Sequence, residues 1–91
     1  MSSQFFDLTG EVAVVTGSGR GIGEGIAKVL AEHGASVVCA ARRTEEIERV
    51  ASEIVAANGK AIAVTTDVTD EMAVNQLAEK AVKEFGRLDM W

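Results

Sequence analysis

The stretch Val12-Ala13-Val14-Val15-Thr16-Gly17-Ser18-Gly19-Arg20-Gly21-Ile22-Gly23 constrains the chain more than any other. Four consecutive apolar residues, three of them β-branched valines, read as a strand buried on both faces. A glycine cluster follows directly. A helical pattern then begins, with Ile22, Ile26, Ala27, Val29 and Leu30 recurring on one face. Strand, tight turn and helix start together make an anion site. The first helical N–H groups have no intrahelical partner, and the helix dipole is positive there. Glycine suits such a turn because a Cβ would obstruct both a positive-φ backbone and the close approach of a pyrophosphate.

Composition narrows the class. Ninety-one residues, 47% of them hydrophobic, suffice for one small globular domain. A formal net charge of −5 argues against a nucleic-acid partner, because a phosphate backbone selects a basic surface. No apolar run is long enough for a membrane span, and Met1–Phe6 is too short and polar for a signal peptide, so a cytoplasmic protein is expected. The single cysteine, Cys39, lies in an apolar strand pattern and reads as a buried small hydrophobe; no metal site is expected. His33, the one histidine, falls at a helix C-terminus, where it complements the dipole rather than serving catalysis.

In chain order, Phe5, Phe6 and Leu8 lead in, and Thr9-Gly10 reads as the turn before the first strand. The first helix runs to about His33, with Gly34 as its stop. Val37–Ala41 forms a second buried strand, followed by Arg42-Arg43 and then Thr44 as an N-cap candidate with Glu45 and Glu46 behind it. Glu45 and Glu46 are sequence neighbours, which do not face each other on a helix, so they cap rather than form a catalytic dyad. Ile47, Val50, Ala51, Ile54 and Val55 make the next helical stripe, closed by Asn58-Gly59. Ala61–Thr65 is the third strand, Thr69 a cap candidate with Asp70 and Glu71 in the first turn. Val74, Leu77, Ala78, Ala81, Val82 and Phe85 form the third stripe before Gly86. Leu88-Asp89-Met90-Trp91 begins a fourth strand. Strand and helix alternate with short loops, which predicts an α/β fold, a doubly wound parallel sheet with right-handed crossovers.

The glycine spacing selects a ligand. Both G-x-G-x-x-G and G-x-x-x-x-G-K-[ST] fail here, whereas T-G-x-x-x-G-x-G fits as Thr16, Gly17, Gly21 and Gly23. With that spacing the chain resembles the short-chain dehydrogenase/reductase family, from the Leu8-Thr9-Gly10 lead-in to Gly86-Arg87-Leu88-Asp89. The resemblance implies a Rossmann-like half-domain over residues 1–91, βαβαβα and the start of a further strand, with strand order 3-2-1-4.

Ligands in such sheets bind beyond the carboxyl ends of the strands, where Thr16–Gly23, Arg42-Arg43 and Asp67-Val68 all fall. The expected cofactor-binding residues are Gly17, Ser18, Arg20, Gly21, Ile22, Gly23, Arg42, Arg43, Asp67 and Val68. The resemblance gives Asp67 and the Val68 backbone the adenine; the bland reading of Asp67 is a turn or cap residue. NAD binders place an acid about 20 residues past the glycines. Ala41 stands there, 18 positions after Gly23, and Arg42-Arg43 follow. A guanidinium forks onto a ribose 2′-phosphate that a carboxylate would repel, and Arg20 adds a second positive group. NADP is therefore expected in preference to NAD.

The family's catalytic Tyr-x-x-x-Lys lies beyond the region matched. This chain has no tyrosine, so no catalytic residue is assigned in it. The expected function is the N-terminal cofactor-binding fragment of an NADP-preferring oxidoreductase. The parent would transfer hydride between nicotinamide and an alcohol/carbonyl pair, and is expected as a homo-oligomer. A non-catalytic nucleotide-binding or regulatory module is the alternative. A sheet ending at Trp91 is also expected to fold poorly or associate, with an apolar strand edge left unpaired.

Overall fold

The computed structural model describes residues 8–86, so Phe5-Phe6 and the expected fourth strand at Leu88–Trp91 lie outside the described residues. Strands β1 (Val12–Thr16), β2 (Ser36–Ala41) and β3 (Lys60–Thr65) alternate with helices α1 (Gly21–Glu32), α2 (Thr44–Ala56) and α3 (Glu71–Phe85). The strands are parallel in the order β1-β2-β3, with Val14 opposite Val38 and Val38 opposite Ile62. This is the α/β alternation expected from the sequence, and its order agrees with the 3-2-1 part of the expected sheet. Among the described residues no helix is long and apolar enough to cross a membrane.

The strand period of two sorts the core into two layers. Val37 and Cys39 of β2 pack with Ala27 of α1 and with Ile47, Val50 and Ile54 of α2. Val38 and Ala40 face the other way, onto Val12 and Val14 of β1 and Leu77 and Ala81 of α3. Strand β2 is thus buried on both faces, as its unbroken apolar run predicts. Strand β3 departs from that expectation, because Ala61–Val64 at the sheet edge are only half-buried. Cys39 is fully buried and free; burial pushes its thiol pKa up, against a hydrogen bond with Ser18.

Three local expectations are corrected. Thr44 does not cap α2: the N-cap is Arg43 without a side-chain bond, and the Thr44 hydroxyl meets Thr65 Oγ1 at 2.6 Å, tying α2 to β3. Thr69 does not cap α3 either. Asp70 does, accepting from Met72 N and Ala73 N, while Thr69 is drawn onto Asp67. A carboxylate is the stronger acceptor for helix N–H groups, so Asp70 takes the site. On α1 the apolar stripe splits: Ala27 is buried, but Ile22, Ile26 and Val29 stay exposed. The stops are as expected, with Asn58 (φ 71) after α2 and Gly86 (φ 82) after α3 both left-handed.

Candidate functional site: the cleft at the carboxyl ends of β1 and β2

All three strands end on one side, so the segments after β1, β2 and β3 meet at one edge of the sheet. Gly17, Gly19, Arg20, Ala41, Arg42, Arg43 and Glu46 line an open cleft of about 560 Å³ there. The structure therefore brings the glycine turn and the arginine pair together. Asp67 and Val68 do not line that cleft, though the Arg42 charge reaches Asp67 and helps hold its carboxyl below the ordinary value. The larger cause there is Thr69, whose hydroxyl and N–H both donate to Asp67 Oδ1, at 2.6 and 2.9 Å. Asp67 is thus a turn aspartate by its own hydrogen bonds, and Val68 beside it is exposed.

The glycine turn is open where it faces away from the protein. Gly17 and Gly21 have φ of 66° and 63°, and a Cβ at either would stand in open space. These two positions need glycine for their backbone, not for lack of room. Arg20 is the N-cap of α1 in an extended conformation and makes no side-chain cap bond, whereas α3 is capped by its own Asp70. Ile22 in the first turn of α1 is exposed, and Gly21, Ile22 and Gly23 do not line the cleft themselves.

Ser18 has a different place from the other expected ligand residues. It is fully buried, its Oγ accepts from Ala40 N at 3.0 Å, and its own N–H donates to Ala40 O at 3.4 Å. The side chain extends the β1–β2 ladder by one bond and fixes the turn to the sheet. The side chain points into the protein rather than into the cleft.

A charged clasp, which sequence reasoning missed, holds the turn from the other side. Arg49 of α2 forks onto Glu24 of α1 (2.9 and 3.2 Å), pairs with Glu53 (3.0 Å), and donates to Gly19 O at 3.3 Å. Lys28 joins the same two carboxylates. Only the Glu24/Lys28 and Arg49/Glu53 pairs, each four residues apart, are visible as sequence signals.

Arg49 first and Lys28 second hold the Glu24 carboxyl down, from 4.5 to about 2. Glu53 is lowered by the same two cations, Lys28 first. A carboxylate with a lowered folded-state pKa stabilises the fold above its unfolded value and loses that contribution as pH falls through the folded one. The expected result is a thermal midpoint that declines as pH drops from about 4.5 to about 2, followed by circular dichroism. Glu24→Gln should flatten that decline, and high salt should shrink it. An acid profile unchanged in Glu24→Gln counts against the clasp.

The chain matches the family model described as short chain dehydrogenase over residues 11–91. A hydroxynaphthalene reductase-like protein of Metarhizium robertsii is 45% identical over 84 residues, which is 91% of this chain and 32% of that protein. Versicolorin reductase of Emericella nidulans is 46% identical over 90 residues, 98% of this chain and 34% of that protein. Among solved structures, a hydroxysteroid dehydrogenase from Escherichia coli superimposes with a TM-score of 0.93 at 36% identity, covering 98% of this chain and 38% of that one. A metagenomic short-chain oxidoreductase solved in complex with NADP gives 0.86 at 42% identity, covering 98% and 39%. The chain spans about a third of the length of the relatives it matches. With the family model matched over nearly all of its length, and with the parallel sheet and glycine turn in place, the chain belongs to the short-chain dehydrogenase family.

Proposed function

We propose that this chain is the dinucleotide-binding portion of an NADP-preferring oxidoreductase. The observation that carries the reading is the cleft itself. Arg20, the N-cap of α1 and without a side-chain cap bond, lines it together with Arg42 and Arg43, and the end of β2 offers Ala41 in place of a carboxylate. Those residues fit a dinucleotide: the positive-φ turn leaves room for a pyrophosphate, and the guanidiniums suit a 2′-phosphate. Gly17, Gly21, Ile22 and Gly23 would hold the pyrophosphate by backbone, with Arg42, Arg43 and Arg20 on the 2′-phosphate and Asp67-Val68 on the adenine side. The net negative charge of the whole chain makes this local basic cluster more selective, since anions find attraction at few other places. When bound, the nicotinamide cofactor supplies or accepts the hydride exchanged with an alcohol/carbonyl pair in the whole protein.

The test is a set of dissociation constants for NADPH and NADH at fixed salt. A hydrogen bond to a charged group is worth about 1.5–3 kcal/mol, so one such contact gives on the order of 10–100-fold preference for NADPH. Arg42→Ala removes attraction and should weaken NADPH by that order while leaving NADH unchanged. Adding Ala41→Asp repels the phosphate and accepts from the 2′-hydroxyl, and should invert the preference. Equal binding of both cofactors, untouched by Arg42→Ala, overturns the reading.

A further inference from the structure

The cleft that gathers three arginines also contains a carboxylate. Glu46 lies in the first turn of α2, with its side chain set against the glycine turn: a Cβ on Gly19 would stand 2.8 Å from Glu46 Cβ and 2.9 Å from Oε1. From that position Oε1 comes within 3.9 Å of Arg20 Nε. The pair is unequal. The Glu46 side chain is 29% exposed and packed in place, whereas that of Arg20 is 74% exposed and reaches over to it. Among the described residues Arg20 is the one cation paired with Glu46, because Arg49, on the next turn of α2, is spent on Glu24, Glu53 and Gly19 O.

We propose that Glu46 is a specificity-determining residue of this cleft, a counter-acid that holds down the discrimination between 2′-phosphorylated and unphosphorylated ribose. The proposal rests on the reading of the cleft as a dinucleotide site. Toward a 2′-phosphate Glu46 acts twice, repelling the dianion and competing for the Arg20 guanidinium. Toward a bare 2′-hydroxyl it offers an acceptor of the kind that Ala41 does not supply. Both effects narrow the preference that Arg42 and Arg43 create. The Glu45 side chain, one residue earlier, is exposed and forms no part of the cleft lining.

The experiment measures adenosine 2′,5′-bisphosphate and adenosine 5′-monophosphate by titration calorimetry against the full chain at one low salt concentration. Glu46→Gln should tighten the bisphosphate by on the order of 2–10-fold, the range of a screened, part-exposed charge, with the monophosphate unchanged or weakened. Glu45→Gln removes the same formal charge next door and should leave the ratio of the two affinities at the wild-type value. A thermal melt of each variant confirms equal folding. A wild-type ratio in Glu46→Gln, or an equal change in Glu45→Gln, overturns this inference alone if the wild type still prefers the bisphosphate and Arg42→Ala still removes that preference. A wild type that binds neither nucleotide, or both equally, overturns the reading of the cleft and this inference with it.

Discussion

Gly23→Ala should unfold the glycine turn and abolish nucleotide binding, while Gly25→Ala, two residues along the same helix, should stabilise the chain. The two substitutions add the same methyl group and gain the same helix propensity, about 1 kcal/mol relative to glycine. Their surroundings decide the sign. A Cβ on Gly23 would lie 2.1 Å from Gly17 O and 2.7 Å from Gly17 C, whereas nothing lies within 4 Å of one on Gly25. The obstruction at Gly23 is backbone, which has no rotamer to move into. Relief requires α1 to lift from the turn, and with it go the Ser18–Ala40 bonds and the Arg49 bond to Gly19. Overpacking of this kind costs about 1–3 kcal/mol and more when the neighbour is rigid, which exceeds the propensity gain. Each kcal/mol moves the midpoint of a domain this size by about 4–8 °C. Gly23→Ala should therefore melt on the order of 10 °C lower and Gly25→Ala a few degrees higher. Equal midpoints for the two would show that the close packing of α1 on the turn contributes nothing.

Leu77→Ala should release α3 from the sheet. Leu77 and Ala81 are the fully buried residues of α3, and Leu77 is the one large side chain of the two, set between Val12, Val14, Val38 and Ala40. Truncating a buried leucine costs about 2–5 kcal/mol, a large share of the 5–15 kcal/mol that holds an ordinary domain together. The strong Asp70 cap and the Gly86 stop do not make up the difference, since a helix of this length is marginal without its packed face. Hydrogen exchange should show the α3 amides losing protection before those of β2, and Leu77→Met should remain near wild type. Val82→Ala provides the contrast: Val82 belongs to the same apolar stripe but is 47% exposed, so its loss should be small. Comparable losses at Leu77 and Val82 would mean that α3 packs on a different face.

The elements were legible because each carries a local signal that tertiary context leaves alone. Val37–Ala41 is apolar without interruption because β2 is the central strand, and Asn58-Gly59 and Gly86 end helices through their own backbone preferences. The meeting of Gly17–Gly21 with Arg42-Arg43 was legible too, since parallel strands must deliver both to one edge. Capping was not. Three polar residues in a row, Thr69, Asp70 and Glu71, compete at the start of α3, and the winner depends on Asp67 recruiting Thr69. The apolar stripe on α1 named the wrong subset as core, because periodicity gives a face but not which neighbour covers it. Ser18 reads as a ligand contact from the motif alone, yet its hydroxyl answers a strand N–H 22 residues away. The contacts of Glu46 with Arg20 and of Arg49 with Glu24 were not legible for the same reason: those partners sit on the preceding turn and helix, and no spacing rule spans such a distance.

The Arg49 bond to Gly19 O has an entropic side. With no cis peptide among the described residues, the Gly19–Arg20 unit points its N–H opposite to its C=O. Holding the carbonyl toward α2 therefore fixes the amide of Arg20 on the far side before any nucleotide arrives. Ser18 restrains the same loop from the sheet side. A turn in which glycine alternates with other residues has much freedom to lose on binding, and these two side chains remove part of it in advance. On the proposed reading of the cleft, an anion would meet preorganised donors, and little of its binding energy would go into ordering the loop.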